Sequence, residues 1–190
     1  MALVLVTAPS GTVVSTADLR DHCRVDGPDD DALIAGLQTA AVDYVEAFTH
    51  RALLTQTWDD KRDGWPCDGD GAIWLPKPPV SAITSITYTA SDGTSTTWSS
   101  SLYTTDLPTG PRARAARIVP AYSESYPSLR NVPNCVVIRF VCGYGAASSV
   151  PPMIIACIKE HVRANYGRGS EDRKEILDWI NNQLWSFKAF

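Results

Sequence analysis

The stretch DDDALIAGLQTAAVDYVEAFTH, residues 29–50, decides the fold. Leu33, Ile34, Leu37, Ala40, Ala41, Tyr44, Val45 and Phe48 recur at the three- and four-residue steps of a helix. Asp29, Asp30 and Asp31 stand where a helix N-terminus favours negative charge, and Gly27-Pro28 before them breaks the chain. The reading is one amphipathic helix of about 20 residues, roughly 30 Å long, ending near Thr49-His50. Such an apolar face needs helical partners to cover it.

One partner lies just upstream. Ser15 and Thr16, with Asp18 in the first turn, mark the start of a short helix running to about Arg24. Two more lie at the far end. After Val150-Pro151-Pro152, prolines that a first helical turn tolerates, Ile155, Ile158, Val162 and Tyr166 share one face. Gly167 and Gly169 close that helix and Ser170 caps the next, where Ile176, Leu177, Ile180 and Leu184 form the apolar side.

The middle of the chain has a different chemistry. Gln56-Thr57-Trp58, Ile73-Trp74-Leu75, Val80 to Thr89, Thr96-Thr97-Trp98, Ala116 to Val119 and Cys135 to Cys142 are rich in β-branched and aromatic residues. Asp68-Gly69-Asp70-Gly71, Lys77-Pro78-Pro79 and the hairpin turn Ser91-Asp92-Gly93 separate several of them, and Tyr122 to Asn134 reads as a loop. The expected class is α+β. The N- and C-terminal helices, residues 1–53 and 149–190, pack as a helical bundle, and residues 54–148 form an inserted β-rich lobe.

Composition narrows the function. A net charge of −4 argues against a surface that grips nucleic acid throughout, because phosphate contacts need clustered Lys and Arg. The apolar opening Ala2 to Val6 is too short for a signal segment and no run reaches the length of a membrane span, so the chain reads as made in the cytosol. Cys23, Cys67, Cys135, Cys142 and Cys157 include no Cys-x-x-Cys pair, so buried free thiols are expected rather than a zinc or redox site.

Motifs of catalysis are missing or incomplete. There is no Gly-x-Ser-x-Gly turn, and His22, His50 and His161 have no evident nucleophile or acid around them. Gly143-Tyr144-Gly145 has Ser148 in place of the third glycine of a dinucleotide fingerprint and no βαβ context; a strand-to-helix turn requiring small residues accounts for it better. Asp68 and Asp70 are spaced as in a calcium loop but lack its later ligands. No catalytic residue, metal or cofactor is expected. Arg112, Arg114 and Arg117 form the one compact basic cluster, either a solvated loop or a contact for DNA or an acidic partner.

Three stretches, taken in order, resemble the head–tail connector (adaptor) family of tailed bacteriophages and related gene-transfer particles. The first runs from Ser15-Thr16-Ala17-Asp18-Leu19 through Arg24-Val25-Asp26, Asp30-Asp31, Leu33-Ile34, Ala40-Ala41 and Val45-Glu46 to Arg51-Ala52-Leu53 and Gln56-Thr57-Trp58. The second is Leu75-Pro76-Lys77-Pro78-Pro79-Val80 with Ile83, Ser85-Ile86 and Tyr88. The third is Val137-Ile138-Arg139-Phe140, Gly143-Tyr144-Gly145 and Val150-Pro151. Leu107 to Asn134 lies outside the resemblance.

The resemblance implies a structural subunit, not an enzyme. It implies a ring of copies, commonly twelve, between the portal protein and a stopper or tail-completion protein at the virion neck. Double-stranded DNA would pass through without specific binding, past few lumenal cations. C-terminal segments of such adaptors meet the portal, which would implicate Trp185, Phe187 and Phe190 as an exposed aromatic tail. Three other readings remain open: a stopper or tail terminator, a ligand- or glycan-binding module using Trp65, Trp74 and Trp98 as a stacking platform, and a metal enzyme built on the Asp-rich turns.

Overall fold

The computed structural model describes residues 2–66, 71–166 and 173–189. Cys67, Asp68, Asp70, Gly167, Gly169, Ser170 and Phe190 therefore lie outside the described residues, and with them the calcium-like turn and the link between the last two helices.

The four expected helices are present. Helix α1 spans Thr16–Cys23, and the Ser15 side chain accepts from the Asp18 backbone N–H at 3.1 Å as its N-cap. Helix α2 spans Asp31–Thr49 and ends on His50 in the left-handed conformation. Helices α3, Pro152–Tyr166, and α4, Arg173–Trp185, close the bundle. Ile34, Ala41 and Val45 of α2 share one core with Leu19 of α1, Ile154, Ile158 and Val162 of α3 and Ile180 and Leu184 of α4. Leu33 departs from the stripe. It is 52% exposed, because the buried line runs through Ile34, Gln38, Ala41, Val45 and Thr49 and turns Leu33 about 100° away. Gln38 stays in that line by donating to the Val14 carbonyl.

The β residues form two antiparallel sheets. Strands β1 (Ala2–Thr7), β2 (Gln56–Arg62), β4 (Val80–Thr89), β5 (Ser95–Thr97) and β8 (Val136–Cys142) build a five-stranded sheet in the order β1-β2-β8-β4-β5. Strands β3 (Ile73–Leu75), β6 (Tyr103–Asp106) and β7 (Ala116–Pro120) build a three-stranded sheet in the order β3-β7-β6. Alternate residues of β8, namely Val136, Ile138, Phe140 and Cys142, point into a second core with Ile73, Leu75, Ile86 and Ile118. The expected hairpin is β4-β5: the Ala90 N–H donates to Thr94 at 2.8 Å, and Asp92 Oδ1 accepts from the Thr94 N–H and hydroxyl.

One segment differs from the expectation that residues 1–53 are wholly helical-bundle. Ala2–Thr7 is an edge strand, registered antiparallel to β2 from Ala2 opposite Lys61 to Thr7 opposite Thr57. Its extended form comes from that pairing, since Pro9 and Gly11 follow too closely for a helix to develop.

Candidate functional site at the helix–sheet junction

The bundle and the sheet meet where β8 leaves the sheet. Gly143 has φ +115°, and a Cβ there would sit 2.2 Å from the Leu54 carbonyl oxygen, so only glycine fits. The Gly143 N–H donates to Pro79 and the Tyr144 N–H to Leu53, while Gly145 accepts from the Thr55 N–H at 3.2 Å. The turn thus straps the exit of β8 to the segment that leaves α2. This is the small-residue strand-to-helix turn, not a nucleotide loop.

Behind that turn lies Arg51, 2% exposed. Its Nε donates to the Phe187 carbonyl, and its guanidinium hydrogen-bonds the Tyr144 side chain. Among the described residues no carboxylate pairs with it, and its Nη1 has no hydrogen-bond partner. Burial pulls the Arg51 pKa down and pushes that of Tyr144 up. The Tyr144 hydroxyl donates at 2.7 Å to the Pro111 carbonyl, which ties the 107–115 loop to the same point.

The C-terminal aromatics part company here. Phe187 is 5% exposed and belongs to the helical core, so it is not part of an exposed tail. The backbone beyond it is also held, with the Ala189 N–H donating to Thr49 at the end of α2. Trp185 is 60% exposed, with the Lys188 ammonium 5.2 Å from its ring centroid. Phe190 lies outside the described residues.

The basic cluster also divides. Arg114 pairs with Asp106 at 2.6 Å, and Arg117 lies 3.5 Å from the same carboxylate with its guanidinium 5.9 Å from the Trp74 ring. Arg112 turns the other way, over the Phe187 ring at 5.3 Å, and donates to the Ser186 hydroxyl at 3.3 Å. Two sequence-separated candidates, the basic loop and the C-terminal aromatics, are therefore neighbours. Arg51 and Tyr144, which organise them, lie within stretches the sequence singles out, Arg51-Ala52-Leu53 and Gly143-Tyr144-Gly145, but nothing local signals that the Arg is buried.

The three tryptophans do not make a stacking platform. Trp98 is buried, and Trp65 packs on Trp98 at 5.3 Å and on Tyr126 at 5.0 Å while donating from Nε1 to the Pro127 carbonyl. Trp74 is exposed on the second sheet. Trp65 and Trp98 pin the 122–134 loop onto the lobe through Tyr126, helped by the Tyr126 hydroxyl donating to Gly71 at 2.6 Å.

Of the histidines, His22 lies 3.0 Å from Glu160, His161 stacks on Tyr44 at 5.0 Å, and His50 caps α2. Among the described residues no group of three His, Cys, Asp or Glu side chains could hold a metal ion. No helix among them is long and apolar enough to cross a membrane. Cys23, Cys135, Cys142 and Cys157 are free thiols, the last three buried.

A sequence model of the family described as Phage gp6-like head-tail connector protein matches residues 15–105, just under half of the chain. That match bears out the resemblance read from Ser15 to Tyr88. No curated protein sequence matches the chain significantly. Among solved structures, the fold is similar to a chain in the neck of an empty GTA particle computed with C6 symmetry, with TM-score 0.77 and 21% identity, covering 100% of this chain and 96% of that one. It is also similar to a chain of the virion of a native gene transfer agent (GTA) particle, with TM-score 0.75, 22% identity and the same coverage. A third likeness is to the neck of a native GTA particle computed with C12 symmetry, with TM-score 0.74 and 20% identity, again over 100% and 96% of the two chains. At these identities the likeness establishes a shared fold.

Proposed function

We propose that this chain is a head–tail connector (adaptor) subunit, a structural protein of the virion neck whose copies form a ring, dodecameric by analogy, between the portal protein and the stopper or tail-completion protein. The observation that carries the reading is the conjunction of two likenesses. The connector-family match covers α1, α2 and strands β2 to β5, and the full-length fold likeness is to chains of neck and virion particles. Neither depends on a catalytic group, and the junction built by Arg51, Gly143 and Tyr144 is a mechanical joint between two lobes.

The physics suits the role. A ring closes through two unlike faces of each subunit, and a helical bundle beside a β lobe offers unlike faces. Double-stranded DNA moving through the ring must not be held, since each neutralised phosphate adds affinity. A net charge of −4, with Arg114 and Arg117 sharing the Asp106 carboxylate, keeps the density of free cations low. Trp185 remains the candidate portal contact, and Arg112 the member of the basic cluster best placed to meet a partner.

Co-sedimentation of the purified chain with portal rings, followed by electron microscopy, tests the reading. The expected result is stoichiometric added density at the tail-facing end of the portal. Folded chain that stays in the supernatant would move the assignment to a stopper or terminator.

A further inference from the structure

A groove of about 580 Å³ opens at the helix–sheet junction, between the β4 and β8 ends, the 107–115 loop and the start of α3. Its walls include Val80, Pro111, Tyr144, Val150, Met153 and Phe187, and among the described residues no charged side chain lines it. The size is that of a site for a few side chains. Three independent features give this apolar groove a positive potential.

First, the N-terminal end of α3 opens on it through Val150 to Met153, and the first turn of this 15-residue helix contains no acid to offset its dipole. Second, Arg51 lies directly behind it. The Tyr144 and Phe187 that line the groove are the residues its guanidinium holds, and it is buried with Nη1 unpartnered and, among the described residues, no carboxylate paired with it. A cation in such surroundings is weakly screened, so its field reaches the groove. Third, Arg112 follows the wall residue Pro111 and is fixed over Phe187. All three carry the same sign, while the walls themselves are mostly apolar, with Ser81, Thr109, Ser148 and Ser149 among them.

We infer that this groove is a docking site for a peptide segment of another protein that carries carboxylates beside aliphatic side chains. Aliphatic groups would cover the exposed wall residues Pro111, Pro152 and Met153, while a carboxylate would complete the field of Arg51, Arg112 and the helix terminus. The inference deepens the connector reading by assigning chemistry to a neighbouring neck protein, and it rests on that reading only for the partner's source. A second copy of this chain and a neutral apolar peptide are the competing occupants.

The test is an amide-resolved NMR titration of the full chain with a peptide of alternating Leu and Glu, against its Leu–Gln counterpart. Shifts should be confined to the neighbourhood of Gly143, Tyr144 and Met153. The Gln peptide should bind about tenfold more weakly, and Arg112→Glu should weaken the Glu peptide by about tenfold. Met153→Glu, a change at a half-exposed position, should remove binding without unfolding the chain. Equal affinity for both peptides, or shifts elsewhere, would overturn the inference. Groove amides that move with protein concentration alone would overturn it in favour of a second copy. No peptide binding by a chain that still sediments with portal rings rejects the groove and leaves the connector reading standing. Binding by a chain that ignores the portal does the reverse.

Discussion

Arg51 donates from Nε to the backbone carbonyl of Phe187, 136 residues further along the chain. The contact fastens the last described turn of the protein to the exit of α2, and Arg112 lies over the same phenylalanine from the outside. Phe187 is thus a peg and Trp185, two residues earlier, a surface. Phe187→Ala should cost about 3 kcal/mol by leaving a cavity in the bundle, whereas Trp185→Ala should change stability by less than about 1 kcal/mol. Urea unfolding measures both. In portal co-sedimentation Trp185→Ala is expected to weaken binding, and full retention would remove Trp185 from the contact.

Two glycines should respond with opposite signs. Gly143→Ala forces a Cβ against the Leu54 carbonyl at a left-handed backbone position and should cost about 3 kcal/mol or more. Gly36 sits in the exposed middle of α2 with nothing within 4 Å of an added Cβ. Gly36→Ala should stabilise by up to about 1 kcal/mol. Chemical denaturation of the pair decides, and a tolerated Gly143→Ala would show that the strap at the junction yields.

Thiol reactivity should rank by burial. Desolvation pushes Cys142 up to about 12 and Cys157 up to about 11, and Cys135 is buried with its thiol donating to the Asp63 carbonyl at 3.1 Å. Cys23 is only half-buried. Maleimide labelling of the native chain, mapped by mass spectrometry, should, among the four described cysteines, modify Cys23 first and Cys135, Cys142 and Cys157 only after urea. Cys142 reacting at the rate of Cys23 would contradict the packing of β8.

His161 should make the bundle sensitive to mild acid. Burial, reinforced by the Arg173 charge, holds its pKa below the ordinary 6.5, so folding favours the neutral ring stacked on Tyr44. The unfolded chain binds the proton more readily. The contribution of His161 is therefore complete above pH 6.5 and is lost as pH falls towards the depressed folded value. His161→Gln should flatten the fall in unfolding midpoint between pH 7 and pH 5. An unchanged slope would contradict a buried, neutral His161 in the folded bundle.

The helices are legible in the sequence because a 3.6-residue stripe is local: Ile34 to Thr49 announces α2, and Ser15 announces the cap of α1. The β4-β5 turn is equally local. Strand β1 is not, because six uncharged residues before Pro9 and Gly11 acquire their conformation from β2, some fifty residues away. The site is less legible still. Nothing around Phe187 foretells that its ring enters the core while Trp185 stays out, because that choice is made by Arg51 and Arg112. Asp106 likewise lies far enough from Arg117 in sequence that their pairing appears only when β6 pairs with β7.

The strand at the centre of the larger sheet, β8, is also the last of its strands to be synthesised. Strands β2 and β4 both pair with it, and the core of α1 and α2 is completed only by α3 and α4. A ribosome emitting this chain therefore releases no early half with a finished interior. Up to residue 135 only the three-stranded sheet and the β1-β2 and β4-β5 pairs can form, each with an uncovered face or edge, and both lobes consolidate in one late step once the last 55 residues are available.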